Sequence, residues 1–231
     1  MKLQQVPKGL IFDLDGTLAD TLPQLALAAK LSCEAAGLKA PTVDEAKTYV
    51  GNGVKLLLTR AIAGRRDAEP EDVDPALLAR VRELFNRYYS EGLPDNYSVY
   101  PGVKTGLAFF KEQGIKLGVC TNKPQMFAVP LLKYMGLFSC FDFVLGGEVL
   151  QERKPDPKPV LYVAQKLKVS PDECAMAGDS ENDVFAGQRA GMSTVFFTYG
   201  YFSADPDTID PDHIFNDFSA LTALIKQLQQ R

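Results

Sequence analysis

The chain opens on a short apolar run, Leu10-Ile11-Phe12, too short for a helix and suited to a buried strand. It stops abruptly at Asp13-Leu14-Asp15-Gly16-Thr17. Helical spacing takes over from Thr21 to Gly37, where Leu22, Leu25, Ala26, Ala29 and Cys33 share a face and Gly37 is the stop. Further helices are predicted over 43–50, 54–63 and 75–91, the last carrying Leu77, Leu78, Val81, Leu84, Phe85 and Tyr88. No strand pattern occurs between Leu18 and Gly92, so this region reads as an all-helical insertion. The turn-rich segment Gly92–Gly102 reads as the return linker. Beyond it the pattern alternates, with helices at 103–113, 125–135, 159–167, 181–190 and 220–229. Strands are predicted at 115–120, 141–145, 173–177 and 194–197.

Alternation of this kind predicts an α/β fold, a Rossmann-like parallel sheet flanked by helices, interrupted by the helical insertion. The implied domains are 1–17 with 93–231, and 18–92. In an open parallel sheet, ligands bind at the carboxyl ends of the strands. Asp13 follows Leu-Ile-Phe, Thr121 follows Leu-Gly-Val-Cys, and Asp179 follows Ala-Met-Ala-Gly. Three strands therefore each end in a residue suited to phosphate or metal chemistry.

Two carboxylates two residues apart at a buried strand end repel each other and lose hydration. Asp13 and Asp15 thus imply a metal, a shared proton, or both. A plain acidic turn is one reading of the pentapeptide, since Asp-Gly is a common turn pair. A calcium loop counted from Asp13 fails, because Leu18 stands where Gly is required and Gln24 where the bidentate Glu belongs. The remaining reading is nucleophilic catalysis, with Asp13 attacking phosphorus and a divalent ion bridging it to the phosphate.

Composition narrows the field. At 231 residues and 46% hydrophobic, the chain can bury a substantial core. The formal net charge is -4, with both signs interspersed, which argues against nucleic-acid partners and anionic membrane surfaces. No apolar run reaches spanning length and the N-terminus lacks a signal-peptide core, so a soluble cytoplasmic protein is expected. Cys33, Cys120, Cys140 and Cys174 are scattered without a Cys-x-x-Cys pair, and His213 is the sole histidine. These counts exclude a structural zinc site and hydrolases of the Ser-His-Asp or Cys-His kind. No cysteine has Arg six positions on, which removes the cysteine-dependent phosphatases. Hydrolysis, if any, falls to carboxylates and a metal.

Four motifs then occur in order: Asp13-Leu-Asp15-Gly-Thr17, Cys120-Thr121-Asn122-Lys123, Arg153-Lys154-Pro155, and Gly178-Asp179-Ser180-Glu181-Asn182-Asp183. Together they resemble the haloacid-dehalogenase-type phosphohydrolases, and the helical insertion resembles the cap of the subgroup whose cap lies between the first two motifs. The resemblance implies Asp13 as the nucleophile, Asp15 as acid and then base, and Thr121 with the amide of Asn122 as phosphate donors. It implies Lys154 as the cation that offsets charge on the nucleophile and phosphoryl group. The resemblance also makes Thr17 a candidate substrate contact and, with Thr at that position, favours a phosphatase over a phosphomutase. A magnesium ion is implied on Asp13, Asp179 and the backbone carbonyl of Asp15, with Asp183 orienting a metal-bound water or Lys154. Lys123 and Arg153 are weaker candidates, with simple surface exposure as the alternative for each.

Within the insertion, Gly51-Asn52-Gly53 before a helix could present backbone N–H groups to an anion. With Thr59-Arg60-Ala61, Gly146-Gly147 and Thr198-Tyr-Gly-Tyr201, it resembles the caps and cores of bacterial phosphoglycolate phosphatases. Gly51, Asn52, Gly53 and Arg60 are accordingly candidate substrate contacts. The expected activity is hydrolysis of a small phosphorylated metabolite, 2-phosphoglycolate first, by a monomer or homodimer using Mg2+. A sugar phosphatase is the near alternative and a non-catalytic regulatory protein on the same fold the distant one.

Overall fold

The computed structural model describes residues 3–201 and 205–230. The chain divides into two compact units, Met1–Ala19 with Val99–Arg231, and Asp20–Ser98. In order, the elements begin with β1 (Gly9–Phe12), β2 (Ala19–Asp20), α1 (Leu22–Ala35), α2 (Val43–Tyr49), α3 (Val54–Ala63) and α4 (Pro75–Glu91). Then come β3 (Ser98–Val99), α5 (Val103–Glu112), β4 (Lys116–Pro124), α6 (Gln125–Tyr134), β5 (Phe143–Gly147) and α7 (Lys158–Leu167). The chain continues through β6 (Cys174–Gly178), α8 (Glu181–Arg189), β7 (Ser193–Phe197), α9 (Pro206–Ile209), β8 (His213–Phe215) and α10 (Phe218–Gln229).

Among the described residues, six strands form one sheet in the order β5-β4-β1-β6-β7-β8, every neighbouring pair parallel. Every position of β1, β6 and β7 is buried, as expected of parallel strands covered on both faces. One face is aromatic: the rings of Phe12 and Phe218 lie 5.6 Å apart, and those of Phe197 and Phe218 lie 5.5 Å apart. The other face is aliphatic, with Ile11, Cys120 and Met176 packed among Val160, Val163 and Leu167 of α7 and Ala186 of α8. Successive side chains point to opposite faces, so Ile11 and Phe12 divide between the two layers.

From β1 the chain builds β4 and β5 on one side, then returns to place β6 on the other. The switch point lies at β1, where such sheets open a crevice at their carboxyl ends. Phe12 is paired with Val119 of β4 and with Ala177 of β6. This register levels Asp13 with Cys120 and Gly178, and brings Thr121 and Asp179 one residue beyond.

In the helical unit, α2 starts with a capping box in which the Glu45 N–H donates to Thr42 Oγ1 and the Thr42 N–H donates to Glu45 Oε2. Asp74 accepts from the Leu77 N–H ahead of Pro75 at the start of α4. Gln24 of α1 is buried, accepts from the Tyr89 hydroxyl, and donates to the carbonyls of Leu93 and Asp95. The first part of the return linker therefore packs into this unit.

Three features depart from the patterning. β4 runs four residues past its expected end, to Pro124, with an irregular register after Cys120. β8 and α9 are too short to show a period. The insertion is not purely helical, because β2 pairs with β3 as a two-residue ribbon. Backbone pairing of two connecting segments leaves no hydrophobic signature.

Candidate active site

Asp13 leaves the end of β1 with its N–H donating to the Ala177 carbonyl of β6, 3.0 Å away. Its Oδ1 lies 3.1 Å from Lys154 Nζ but accepts no hydrogen bond, although the atom is buried. The Lys154 side chain is 1% exposed and reaches Asp183 Oδ1 at 2.6 Å. Asp183 is fixed from its other oxygen by the Ser180 N–H at 3.0 Å and the Ser180 hydroxyl at 2.7 Å, the capping box of α8. A helix cap and a charge network are thus built from one side chain.

Asp179 follows β6 and is held from both oxygens. The Thr17 hydroxyl donates to Oδ1 at 2.7 Å, and the Tyr201 N–H donates to Oδ2 at 2.7 Å. Gly16 turns the backbone here with φ of 82°, and a Cβ on it would overlap the Asp179 carboxylate. The Tyr199 hydroxyl braces the same turn through the Thr17 carbonyl at 2.8 Å.

Asp13, Asp179 and Asp183 each present a carboxylate oxygen within 4.8 Å of the others. Lys154 supplies one positive charge to this trio. Burial raises the Asp13 carboxyl to about 6, against the pull of Lys154. Burial, followed by the charges of Asp183 and Asp13, raises Asp179 well above the ordinary range. Burial alone would lower the Lys154 ammonium, but Asp13 and Asp183 more than offset it and its affinity for the proton is raised. Hard oxygens, excess negative charge and an oxygen of Asp13 without a hydrogen bond together fit a hard divalent cation.

Thr121 is buried and accepts from the Lys123 N–H at 3.2 Å, and its side chain favours the ionised form of Asp13. Asn122 takes a second task through its side chain: its amide donates to the Lys154 carbonyl at 3.0 Å and accepts from the Lys154 N–H at 3.1 Å. The segments carrying the second and third motifs are stapled together by this pair.

Of the two readings of Lys123, surface exposure is the one the structure removes. Its side chain is 1% exposed, and Nζ lies 2.9 and 3.1 Å from the two oxygens of Asp15, which is 19% exposed. The extension of β4 is the reason, since Thr121 and Lys123 are two apart on one strand and share a face. Arg153 is exposed. The structure also adds Gly200 and Tyr201, after β7, as residues packed on Asp179. Their signal in the sequence was the Thr198-Tyr-Gly-Tyr201 motif after the predicted strand at 194–197.

In the helical unit, Gly51 and Gly53 adopt φ of 110° and 86°, and Gly53 caps α3. The Arg60 guanidinium donates to the Tyr49 carbonyl at 3.0 Å and to Asn52 Oδ1 at 3.3 Å. Arg60 therefore holds the shape of the loop that contains Asn52. Three cysteines are buried and Cys140 is half-buried, all as free thiols, with burial pushing Cys120 up to about 12. Among the described residues, no helix is long and apolar enough to cross a membrane.

Residues 10–197 match the haloacid dehalogenase-like hydrolases. The phosphoglycolate phosphatase of Chromobacterium violaceum is 40% identical over 98% of this chain and 99% of its own length. That of Thiobacillus denitrificans is 40% identical over 87% of each chain. Among solved structures, a predicted phosphoglycolate phosphatase from Haemophilus somnus 129pt superposes with a TM-score of 0.86 at 34% identity, covering 96% of this chain and 98% of that one. The motif order, the strand-end carboxylates around a buried lysine, and these full-length likenesses place the chain in the haloacid dehalogenase-like hydrolase family.

Proposed function

We propose that the protein is a Mg2+-dependent phosphomonoester hydrolase acting on 2-phosphoglycolate, through an aspartyl-phosphate on Asp13. The observation that carries the reading is the position of Asp13, at a strand end, 3.1 Å from Lys154 and within 4.8 Å of Asp179 and Asp183. The named phosphoglycolate phosphatases at 40% identity supply the substrate.

Asp13, Asp179 and the Asp15 carbonyl would hold the cation, with Asp183 beside them. Bound there, Mg2+ supplies charge neutralisation for the nucleophile and the phosphoryl group. Asp13 forms a bond to phosphorus as the ester P–O bond breaks, and Lys154 and the Thr121 hydroxyl balance charge on the phosphoryl oxygens. Asp15 gives its proton to the departing glycolate oxygen. It then takes a proton from the water that attacks phosphorus and releases Asp13 and inorganic phosphate. Thr17 and the Tyr201 N–H hold Asp179 still while this happens. Within the helical unit, Gly51, Asn52 and Gly53 stay the candidate substrate contacts, on a loop held by Arg60. The protein works in the cytoplasm as a monomer or homodimer.

The test is phosphate release from a panel of phosphomonoesters, with Mg2+ or with chelator. A kcat/KM for 2-phosphoglycolate at least about tenfold above sugar phosphates, abolished by chelator, supports the assignment. Equal slow turnover of the whole panel removes the substrate. Retained phospho-enzyme formation in Asp13→Asn removes the nucleophile.

A further inference from the structure

Among the described residues, two lysines are buried in the α/β unit near the strand ends, and they serve different carboxylates. Lys154 lies with Asp13 and Asp183, on the phosphoryl side of the proposed reaction. Lys123 lies with Asp15, whose two oxygens it meets at 2.9 and 3.1 Å. Burying an ammonium costs several kcal/mol in lost hydration, and lysine is seldom so placed without an ionic partner. A pair that only held the strand end together would be replaced at little cost by apolar residues of similar volume. The partner's identity suggests a chemical task instead, because Asp15 is the group that must meet the ester oxygen.

An ammonium in contact with Asp15 therefore borders the organic half of the substrate. In 2-phosphoglycolate a single methylene separates the ester oxygen from the carboxylate. A substrate placed with its ester oxygen at Asp15 brings that carboxylate within reach of Lys123. Asp15 is partly exposed whereas Lys123 is not, so a ligand approaches the pair from the Asp15 side.

We propose that Lys123 is a specificity-determining residue, whose buried ammonium receives the carboxylate of the substrate in exchange for that of Asp15. The exchange has two effects. It pairs the charge on the leaving group in a site with little water, where an ion pair is worth more than at the surface. It also frees the Asp15 side chain, partly exposed, to take a proton from solvent and turn toward the ester oxygen. A phosphomonoester without an anionic leaving group leaves Asp15 clamped and gains neither effect. The proposal rests on the 2-phosphoglycolate reading and adds the residue that recognises the carboxylate.

The experiment compares 2-phosphoglycolate with ethyl phosphate, which has the same carbon count in its leaving group but no carboxylate. Wild type, Lys123→Met and Lys123→Arg are measured with saturating Mg2+, alongside thermal unfolding of each. Wild type is expected to prefer 2-phosphoglycolate. In Lys123→Met, kcat/KM for 2-phosphoglycolate should fall at least about tenfold further than for ethyl phosphate, mostly through KM. Lys123→Arg should keep the preference, because it keeps the charge. If Lys123→Met does not fold, Lys123→Gln, which can still hydrogen-bond Asp15, is read in the same way. An equal fall for both substrates overturns the proposal and leaves Lys123 as a support for Asp15 alone. No preference in wild type overturns the substrate reading itself, a result distinct from a preference that survives loss of the lysine.

Discussion

The carboxamide of Asn122 and the backbone of Lys154 exchange two hydrogen bonds, at 3.0 and 3.1 Å. Asn122 follows Thr121 on β4, while Lys154 lies on the loop before α7. The pair thus sets the distance between a proposed phosphate ligand and the buried ammonium. Asn122→Ala removes both bonds without touching a charge. A shift of about 1 Å at a catalytic group costs on the order of 100-fold in rate, so kcat should fall about 10- to 100-fold with KM little changed. Steady-state kinetics on the folded variant checks this; unchanged kcat would show that Lys154 is positioned by its ion pairs alone.

Gly16 is the turn on which Asp179 rests. Its φ of 82° is unfavourable for any L side chain, at about 1–2 kcal/mol, and a Cβ would overlap the Asp179 carboxylate. Gly16→Ala should therefore displace Asp179 and weaken Mg2+ binding by about 10- to 100-fold. Calorimetric titration with Mg2+ reads the loss directly. Wild-type affinity in this variant would mean that Asp179 is not a ligand.

Metal binding should appear as stability. A cation held only by the folded chain adds about 2.7 kcal/mol at a hundredfold excess over Kd. The midpoint of thermal unfolding should rise with Mg2+ in wild type, and the rise should be largely lost in Asp179→Asn. Circular dichroism melts across a Mg2+ series measure both, and an equal rise in the two proteins would place the ion elsewhere.

The buried Asp13 carboxyl gives the metal-free protein a pH dependence of defined sign. Its ordinary value is near 4 and burial raises it to about 6, so between these values the folded state binds the proton more tightly. Stability from this group is therefore present below about pH 4 and lost as pH rises through about 6. Asp13→Asn lacks the titration, so in chelator its unfolding midpoint should gain on that of wild type over this window. Parallel pH profiles for the two proteins would contradict the shift, and saturating Mg2+ should diminish the difference.

The strand-end placement of Asp13 and Asp179 was legible in the sequence, because apolar runs followed by single polar residues can be read locally; Thr121, read the same way, lies inside β4, which continues to Pro124. The helical insertion was legible for the same reason: α3 (Val54–Ala63) and α4 (Pro75–Glu91) carry a full helical period and clear stops. Short elements without a period, such as His213–Phe215, were illegible. What each polar residue meets depends on contacts between distant segments. The pairing of Lys123 with Asp15 spans 108 positions, that of Thr17 with Asp179 spans 162, and that of Asn122 with Lys154 spans 32. A lysine reads the same in sequence whether water or a carboxylate surrounds it. Its burial is set by the register of β1 against β4 and by an extension of β4 that no local pattern encodes.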